Sequence, residues 1–265
     1  MKQVLLGAFV LVLLSNCRPA KMALDSEGWN KKEEYKVAGK RGLFTRERMS
    51  FGEFYTTEVK RSWVKGSGGR FGLGSGIVTD FDYTNIISVE YIKRNQTIRF
   101  SLTDGTNRAS EVYCVSKFNS TDLTIGNNPN SIRNIAIDII EAANNSAESK
   151  YYVQLYLGKG ERPWELLLDN VQAQMKPGSY VGYLSQSPDN YYTIVPVRKM
   201  EGKDGKPAPI LFGAVGFEFR DKNNRPLAAV SLIDRGVVYF GEVSHSEKFL
   251  LANACAALLM QEVIG

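Results

Sequence analysis

Residues 244–265, SHSEKFLLANACAALLMQEVIG, constrain the fold more than any other stretch of the chain. Ser244 and Glu247 have the S-x-x-E spacing of a capping box, which predicts a helix beginning near His245. From Phe249 to Met260 only Asn253 is polar, and the apolar positions run all the way round the helical wheel. A helix that is apolar on every side has no face to give to water, so protein or lipid must enclose it. Twelve residues rise about 18 Å, short of the roughly 20 apolar residues needed to cross a bilayer. Enclosure by protein is therefore expected, with Leu250, Leu251, Ala254, Ala257, Leu258 and Leu259 all losing contact with solvent. Ala252, Ala256 and Ala257 are small enough for surrounding strands to approach closely.

Nearly everything upstream carries strand patterning. The segment 49–64 is rich in aromatic and β-branched residues, and Ile98, Phe100 and Leu102 alternate with Arg99 and Ser101, one face buried and one wet. Asp104-Gly105 marks a tight turn into a second strand that contains Cys114. The segment 131–146 fits a helical stripe and a strand about equally, and its isoleucines favour strand. Short strands follow in YYVQLYLG, PWELLLDNV, SYVGYLS and YYTIVPVRK, then a charged turn region, KMEGKDGKPAPI. A hairpin turning around Lys222 to Arg225 leads to VVYFGEV and the capped helix. About a dozen short strands at this spacing indicate a barrel or sandwich rather than βαβ units. The expected fold is mostly β: a closed or nearly closed barrel of about twelve strands around a buried C-terminal helix, with a β-sandwich and packed helix as the alternative.

The N-terminus carries the most informative chemistry. Lys2 supplies a positive n-region, and Val4 to Leu14 form an eleven-residue apolar core that suits a secretory signal better than a membrane span. No A-x-A cleavage site follows. The core runs instead into Leu14-Ser15-Asn16-Cys17, which resembles the bacterial lipobox, although Asn16 stands where Gly, Ala or Ser is usual. The resemblance implies that Cys17 is lipid-modified and anchors an exported protein to a membrane of a bacterial cell envelope. Residues 1–16 are then a signal peptide, 17–44 a polar tether, and 45–265 one β-rich domain. Trp29 and Tyr35 are the tether residues able to dock on the domain or on lipid headgroups.

Many strands, the hairpin GFEFRDKNNRPLAAVSLI and a hydrophobic C-terminal helix are together similar to the tubby and phospholipid scramblase domains. The pattern extends over most of residues 50–264, with its specificity in the last fifty. The resemblance implies a closed twelve-stranded barrel around the helix and a membrane-proximal binding module. It transfers no phosphoinositide-contacting or calcium-binding residue.

Composition narrows the function classes. The chain has one histidine, His245, which excludes multi-histidine metal sites and leaves a histidine triad only that residue at a helix start. The net charge of +5 is spread thinly along 265 residues; it suits an anionic membrane surface and is too dilute for nucleic acid. The glycine-rich loop from Gly66 to Gly76 lacks the Lys-Ser/Thr of a P-loop. Asp80 and Asp82 have D-x-D spacing without the glycine and glutamate of a calcium loop. No metal, cofactor or catalytic group is expected. Cys114 and Cys255 are expected as separate buried thiols rather than a disulfide. Asn95, Asn119 and Asn144 head N-x-S/T triplets, which carry no weight in a bacterial lipoprotein. Two functions from different classes follow. One is a lipid-anchored, non-catalytic binding or structural module facing lipid, glycan or another envelope protein. The alternative is a carboxylate-dependent hydrolase of the glycoside hydrolase type on the same anchor. Its acids would come from Glu53, Glu58, Asp80, Asp82 and Glu90, with Tyr151, Tyr152, Trp164, Tyr191 and Tyr192 stacking on sugar rings.

Overall fold

The computed structural model describes residues 20–24, 27–40, 48–63, 70–72, 88–90, 96–106, 108–118, 123–124, 150–175, 180–202, 204–210 and 213–261. Residues 1–16, Cys17, Asp80, Asp82, the three N-x-S/T asparagines, segment 131–146 and most of the glycine-rich loop lie outside the described residues.

In chain order the strands are β1 (Glu33–Lys36), β2 (Ser50–Phe51), β3 (Phe54–Trp63), β4 (Arg70–Gly72), β5 (Ser88–Glu90) and β6 (Gln96–Thr103). There follow β7 (Ala109–Phe118), β8 (Leu123–Thr124), β9 (Lys150–Tyr156), β10 (Trp164–Asp169), β11 (Gly182–Ser187) and β12 (Asn190–Val197). The last are β13 (Lys199–Glu201), β14 (Pro207–Pro209), β15 (Gly216–Arg220), β16 (Pro226–Ser231) and β17 (Val237–Phe240). Two α-helices are present among the described residues, α1 (Asn170–Met175) and α2 (His245–Met260), together with a 3-10 turn at Glu27–Trp29.

Twelve strands form one antiparallel sheet in the order β1-β17-β16-β15-β12-β11-β10-β9-β7-β6-β3-β2. Apart from β1, this is a meander in which each strand lies beside the next of the sheet. Its edge strands β1 and β2 are drawn together by a single antiparallel bridge, where Ala38 and Ser50 exchange hydrogen bonds of 2.9 and 3.0 Å. The result is a nearly closed barrel with one C-terminal helix, as the sequence pattern predicts. Among the described residues β3 pairs with β2 only at Phe54 and Tyr55, so from Thr57 onward β6 is its only ladder partner. Outside the barrel, β13 pairs with β14 and β5 with both β4 and β8.

The helix fills the barrel. Every residue from Phe249 to Met260 is buried, the six expected ones included. Inward positions of the strands complete the core: Phe100 and Leu102 on β6, Val112 and Cys114 on β7, Val153 and Leu155 on β9, Phe219 on β15 and Val230 on β16. Polar ties fix the helix at four levels. Arg108 Nη2 donates to the His245 carbonyl (3.1 Å), and Ser110 Oγ to Asn253 Oδ1 (2.5 Å). Tyr151 Oη donates to the Ala257 carbonyl (2.7 Å). Arg61 Nη1 donates to the Met260 carbonyl (3.2 Å), placing a cation at the negative end of the helix dipole. The one polar residue of the apolar run, Asn253, is thus satisfied on both sides, since its Nδ2 also donates to Phe249 O (2.8 Å). Cys114 and Cys255 are free and buried.

Three boundaries differ from expectation. The strand at PWELLLDNV stops at Asp169, where α1 begins. The charged segment KMEGKDGKPAPI is the β13–β14 hairpin rather than irregular turn. The third difference concerns the expected tether 17–44, because much of it belongs to the domain. Residues 21–23 pair with β13, and β1 pairs with β17 in register from Glu33–Phe240 to Lys36–Val237. Between them Trp29 is buried, its Nε1 donating to Glu218 Oε1 at 3.0 Å. The physical reason is apolar area: Met22, Trp29, Ala229 and Tyr239 form a second small core on the outer face of the sheet. Short polar stretches between those residues disguise that anchoring as linker composition.

Candidate functional site

Two polar constellations stand out, one at the barrel end where α2 begins and one across the outer face of the sheet. At the first, the N-cap works as the sequence indicates: Ser244 Oγ accepts from Glu247 N at 3.3 Å. The Glu247 carboxylate turns to the wall, accepting from Tyr192 Oη at 3.0 Å, while the Tyr192 ring stacks on Trp164 at 5.6 Å. Asp104, at the end of β6, is buried. Burial would raise its pKa, but bonds from the Thr106 hydroxyl (2.6 Å), the Thr106 amide (3.0 Å) and Arg108 Nε (3.0 Å) outweigh it and hold the carboxyl at about 2. His245 Nε2 lies 3.7 Å from the same carboxylate. Arg108 also sits over the Phe249 ring at 4.8 Å, a cation–π contact at the helix's first apolar turn.

Lys248 gathers a second set of charges at this end. Its Nζ donates to Glu33 Oε2 (2.6 Å) and Tyr35 Oη (3.4 Å), and lies 3.4 Å from Glu53 Oε1. The bond to Lys248, with one from Tyr35, lowers the Glu33 pKa. Chemically this end is a fastening. A carboxylate with a pKa near 2 stays ionised at neutral pH and neither donates nor shuttles protons there.

That pKa gives a pH signature. Because the folded value lies below the ordinary 3.8, the contribution of Asp104 to stability is complete above the ordinary value and lost as pH falls toward 2. The melting temperature of the protein should therefore be flat through neutral pH and drop between about pH 4 and pH 2. In Asp104→Asn the melt should start lower, and that acid step should shrink. An identical acid limb in the variant would show that Asp104 does not supply it.

The second constellation lies on outward-facing positions. Arg99, Tyr113, Gln154, Glu165, Ser185 and Tyr191 occupy one cross-strand row over β6, β7, β9, β10, β11 and β12. Their polar atoms are linked. Tyr113 Oη donates to Glu111 Oε2 (2.6 Å), which also accepts from Arg99 Nη2 (3.3 Å). Tyr156 Oη donates to Gln154 Oε1 (3.0 Å), Gln154 Nε2 to Tyr152 Oη (3.0 Å), and Tyr152 Oη to Glu165 Oε1 (2.9 Å). Rings pair along the row, Tyr113 with Tyr156 at 5.8 Å and Tyr183 with Tyr180 at 5.1 Å and Tyr191 at 5.9 Å. Burial, with Glu165 and Glu111 nearby, pushes the Tyr156 phenol up to about 12, and burial also raises Tyr113, Tyr152 and Tyr183. These phenols are donors at any physiological pH. The buried Ser185 Oγ, in the same row, makes no hydrogen bond. Tyr152, Gln154 and Ser185 of the belt are buried, so stacking on a partner falls to the partly exposed rings of Tyr113, Tyr156, Tyr183 and Tyr191.

The structure separates the residues considered for a hydrolase. Tyr152 and Tyr191 face outward in the belt, whereas Tyr151, Trp164 and Tyr192 face the core and the helix. Glu53 is taken up by Lys248, and Glu58 is exposed at a bulge in β3 with φ of 46°. Asp80, Asp82 and the Glu90 side chain lie outside the described residues, as does Cys17. The Cys114 thiol is pushed up to about 12 and Cys255 higher, both by burial, so neither is a nucleophile. Among the described residues no three of His, Cys, Asp and Glu gather as a metal site. Sequence reading missed the Asp104–Arg108–His245 cluster, although Asp104, Thr106 and Arg108 within one turn are the signal of an Asx turn closed by an ion pair.

Comparison with protein-family models, curated proteins and solved structures finds no match to this chain.

Proposed function

We propose that this chain is a lipid-anchored protein of a bacterial cell envelope, attached through Cys17, and that it works as a non-catalytic binding or structural module. The observation that carries the second part is the filled barrel. With all residues from Phe249 to Met260 buried in it, recognition falls to the outside, where the partly exposed rings of Tyr113, Tyr156, Tyr183 and Tyr191 offer stacking faces to a glycan, lipid or envelope protein. The anchor rests on the apolar core from Val4 to Leu14 running directly into Leu-Ser-Asn-Cys. More than one acyl chain, at about 0.8 kcal/mol per buried methylene, makes attachment stable. The resemblance to tubby and scramblase domains is supported by the twelve-stranded barrel and its apolar C-terminal helix. The carboxylate-hydrolase reading has no observation of its own among the described residues.

Cys17→Ser should move the protein from the membrane to the soluble fraction and abolish labelling by a fatty-acid probe. Membrane association and labelling that persist in this variant would contradict the proposal.

A further inference from the structure

The N-terminal segment fixes which end of the barrel a lipid anchor can reach. Residues 21–23 form a third strand beside β13: Glu201 N donates to the Lys21 carbonyl (2.9 Å) and Ala23 N to the Lys199 carbonyl (3.0 Å). Met22 bridges Met200, and its sulfur sits against Gly216, where an added Cβ would fall 2.4 Å away. This docking is held by side chains as well as backbone, since Met22 and Ala23 are buried.

The register gives a direction. Ala23 lies opposite Lys199 and Lys21 opposite Glu201, so toward lower numbers the chain runs with β13 toward the hairpin turn at Gly202–Lys206. Four residue steps separate Lys21 from Cys17, a reach of at most about 14 Å. The hairpin leaves the barrel at the end where α2 finishes, since β12 leads into it from Val197 and Gly236 at the same end packs on Leu259, and its β13 strand then lies against the outer wall beside Met22. The Asp104–His245 rim lies at the other end of α2, whose sixteen residues span about 24 Å.

We infer that the β13–β14 hairpin is the face this protein lays against a lipid bilayer, with the helix N-terminal rim pointing away from it. The inference rests on lipidation at Cys17 and adds an orientation to it. The described charges of the hairpin, Lys199, Glu201, Asp204 and Lys206, are all exposed and balance at neutral pH, so no net charge opposes an approach to lipid. Pro207, Ala208 and Pro209 are likewise exposed, small and apolar. On this orientation the tyrosine belt runs round the barrel wall, to the side of the membrane contact rather than within it.

The test uses the full lipidated chain in phosphatidylcholine–phosphatidylglycerol vesicles that carry a nitroxide on some headgroups. A fluorophore is placed by Lys206→Cys or by Asn223→Cys, in the turn between β15 and β16 at the far end; both native residues are exposed. Cys114 and Cys255 are buried, so labelling of the folded protein reports the added thiol. Quenching at position 206 should exceed that at 223 by about fivefold or more, given the ~24 Å between the two ends. Equal quenching, or stronger quenching at 223, in protein that takes up a fatty-acid probe would overturn the orientation while leaving the anchor standing. Absence of the probe on Cys17 would overturn both. Matching melts of the two variants and the parent establish that the labels report orientation rather than misfolding.

Discussion

Removing residues 245–265 from the Cys17→Ser variant should leave no folded barrel. Twelve consecutive buried residues leave with that segment, and the inward side chains of β6, β7, β9, β15 and β16 lose their common partner. Tyr151 Oη loses its acceptor inside an apolar space, a cost of about 1–3 kcal/mol when nothing replaces it, while Ser110 Oγ keeps only the Leu102 carbonyl at 3.2 Å. Burial of the six large apolar side chains Phe249, Leu250, Leu251, Leu258, Leu259 and Met260 contributes about 1.5–3 kcal/mol each, so losing them removes as much as the total stability of a domain, about 5–15 kcal/mol. The product should aggregate or show no cooperative melt. Smaller steps should scale accordingly. Leu258→Ala should cost about 2–5 kcal/mol through lost burial and a residual cavity. Ala257→Asp should be worse, because Ala257 is fully buried and the new carboxylate would have to be desolvated. A soluble, folded truncation with the parent's melting temperature would contradict the account of the core.

The second large effect is expected at Trp29. Its ring holds the N-terminal segment onto β15 and β16, and its Nε1 shares the buried Glu218 carboxylate with Arg220, whose Nη2 lies 2.5 Å from Glu218 Oε2. Trp29→Ala should cost about 3–5 kcal/mol, through the lost apolar contact and an under-satisfied Glu218 oxygen. Trp29→Phe keeps most of the contact and loses the donor, so it should cost less. Chemical denaturation of the three proteins measures both. A cost at Trp29→Ala below that of an ordinary surface substitution, about 0.5 kcal/mol, would show that residues 20–40 are a tether after all.

Much of the fold is legible in the sequence because the helix gives an unusual signal. Apolar residues on all sides of Phe249–Met260 leave no alternative to enclosure, and Ile98, Phe100 and Leu102 alternate cleanly with polar neighbours. The hairpin turns at Asp104-Gly105 and at Lys222–Arg225 likewise declare themselves; in the second, Asp221 Oδ1 accepts from the amides of Asn223 and Arg225. Of the docking of residues 20–40 only Trp29 and Tyr35 are marked out in the sequence as able to reach the domain; the rest is not legible, because its apolar residues are single and widely spaced. Their partners Glu218, Met200 and Gly216 lie roughly two hundred residues away, and no local pattern encodes such a pairing. The site is less legible still. The tyrosines read alike along the chain, and only strand register sends Tyr152 and Tyr191 outward while Tyr151 and Tyr192 turn inward. A one-residue shift would exchange those roles.

Amide hydrogen exchange along α2 in the intact protein tests the central claim most directly. Its first four N–H groups have no partner within the helix, so the comparison belongs to the amides from Phe249 onward. If the helix is the core of the barrel, the amides of Phe249–Met260 exchange only through global unfolding, and their protection equals the full unfolding free energy from denaturation. Exchange of these amides well ahead of those in β7, β9 and β16 would show a helix that leaves a barrel still standing, and would contradict the account.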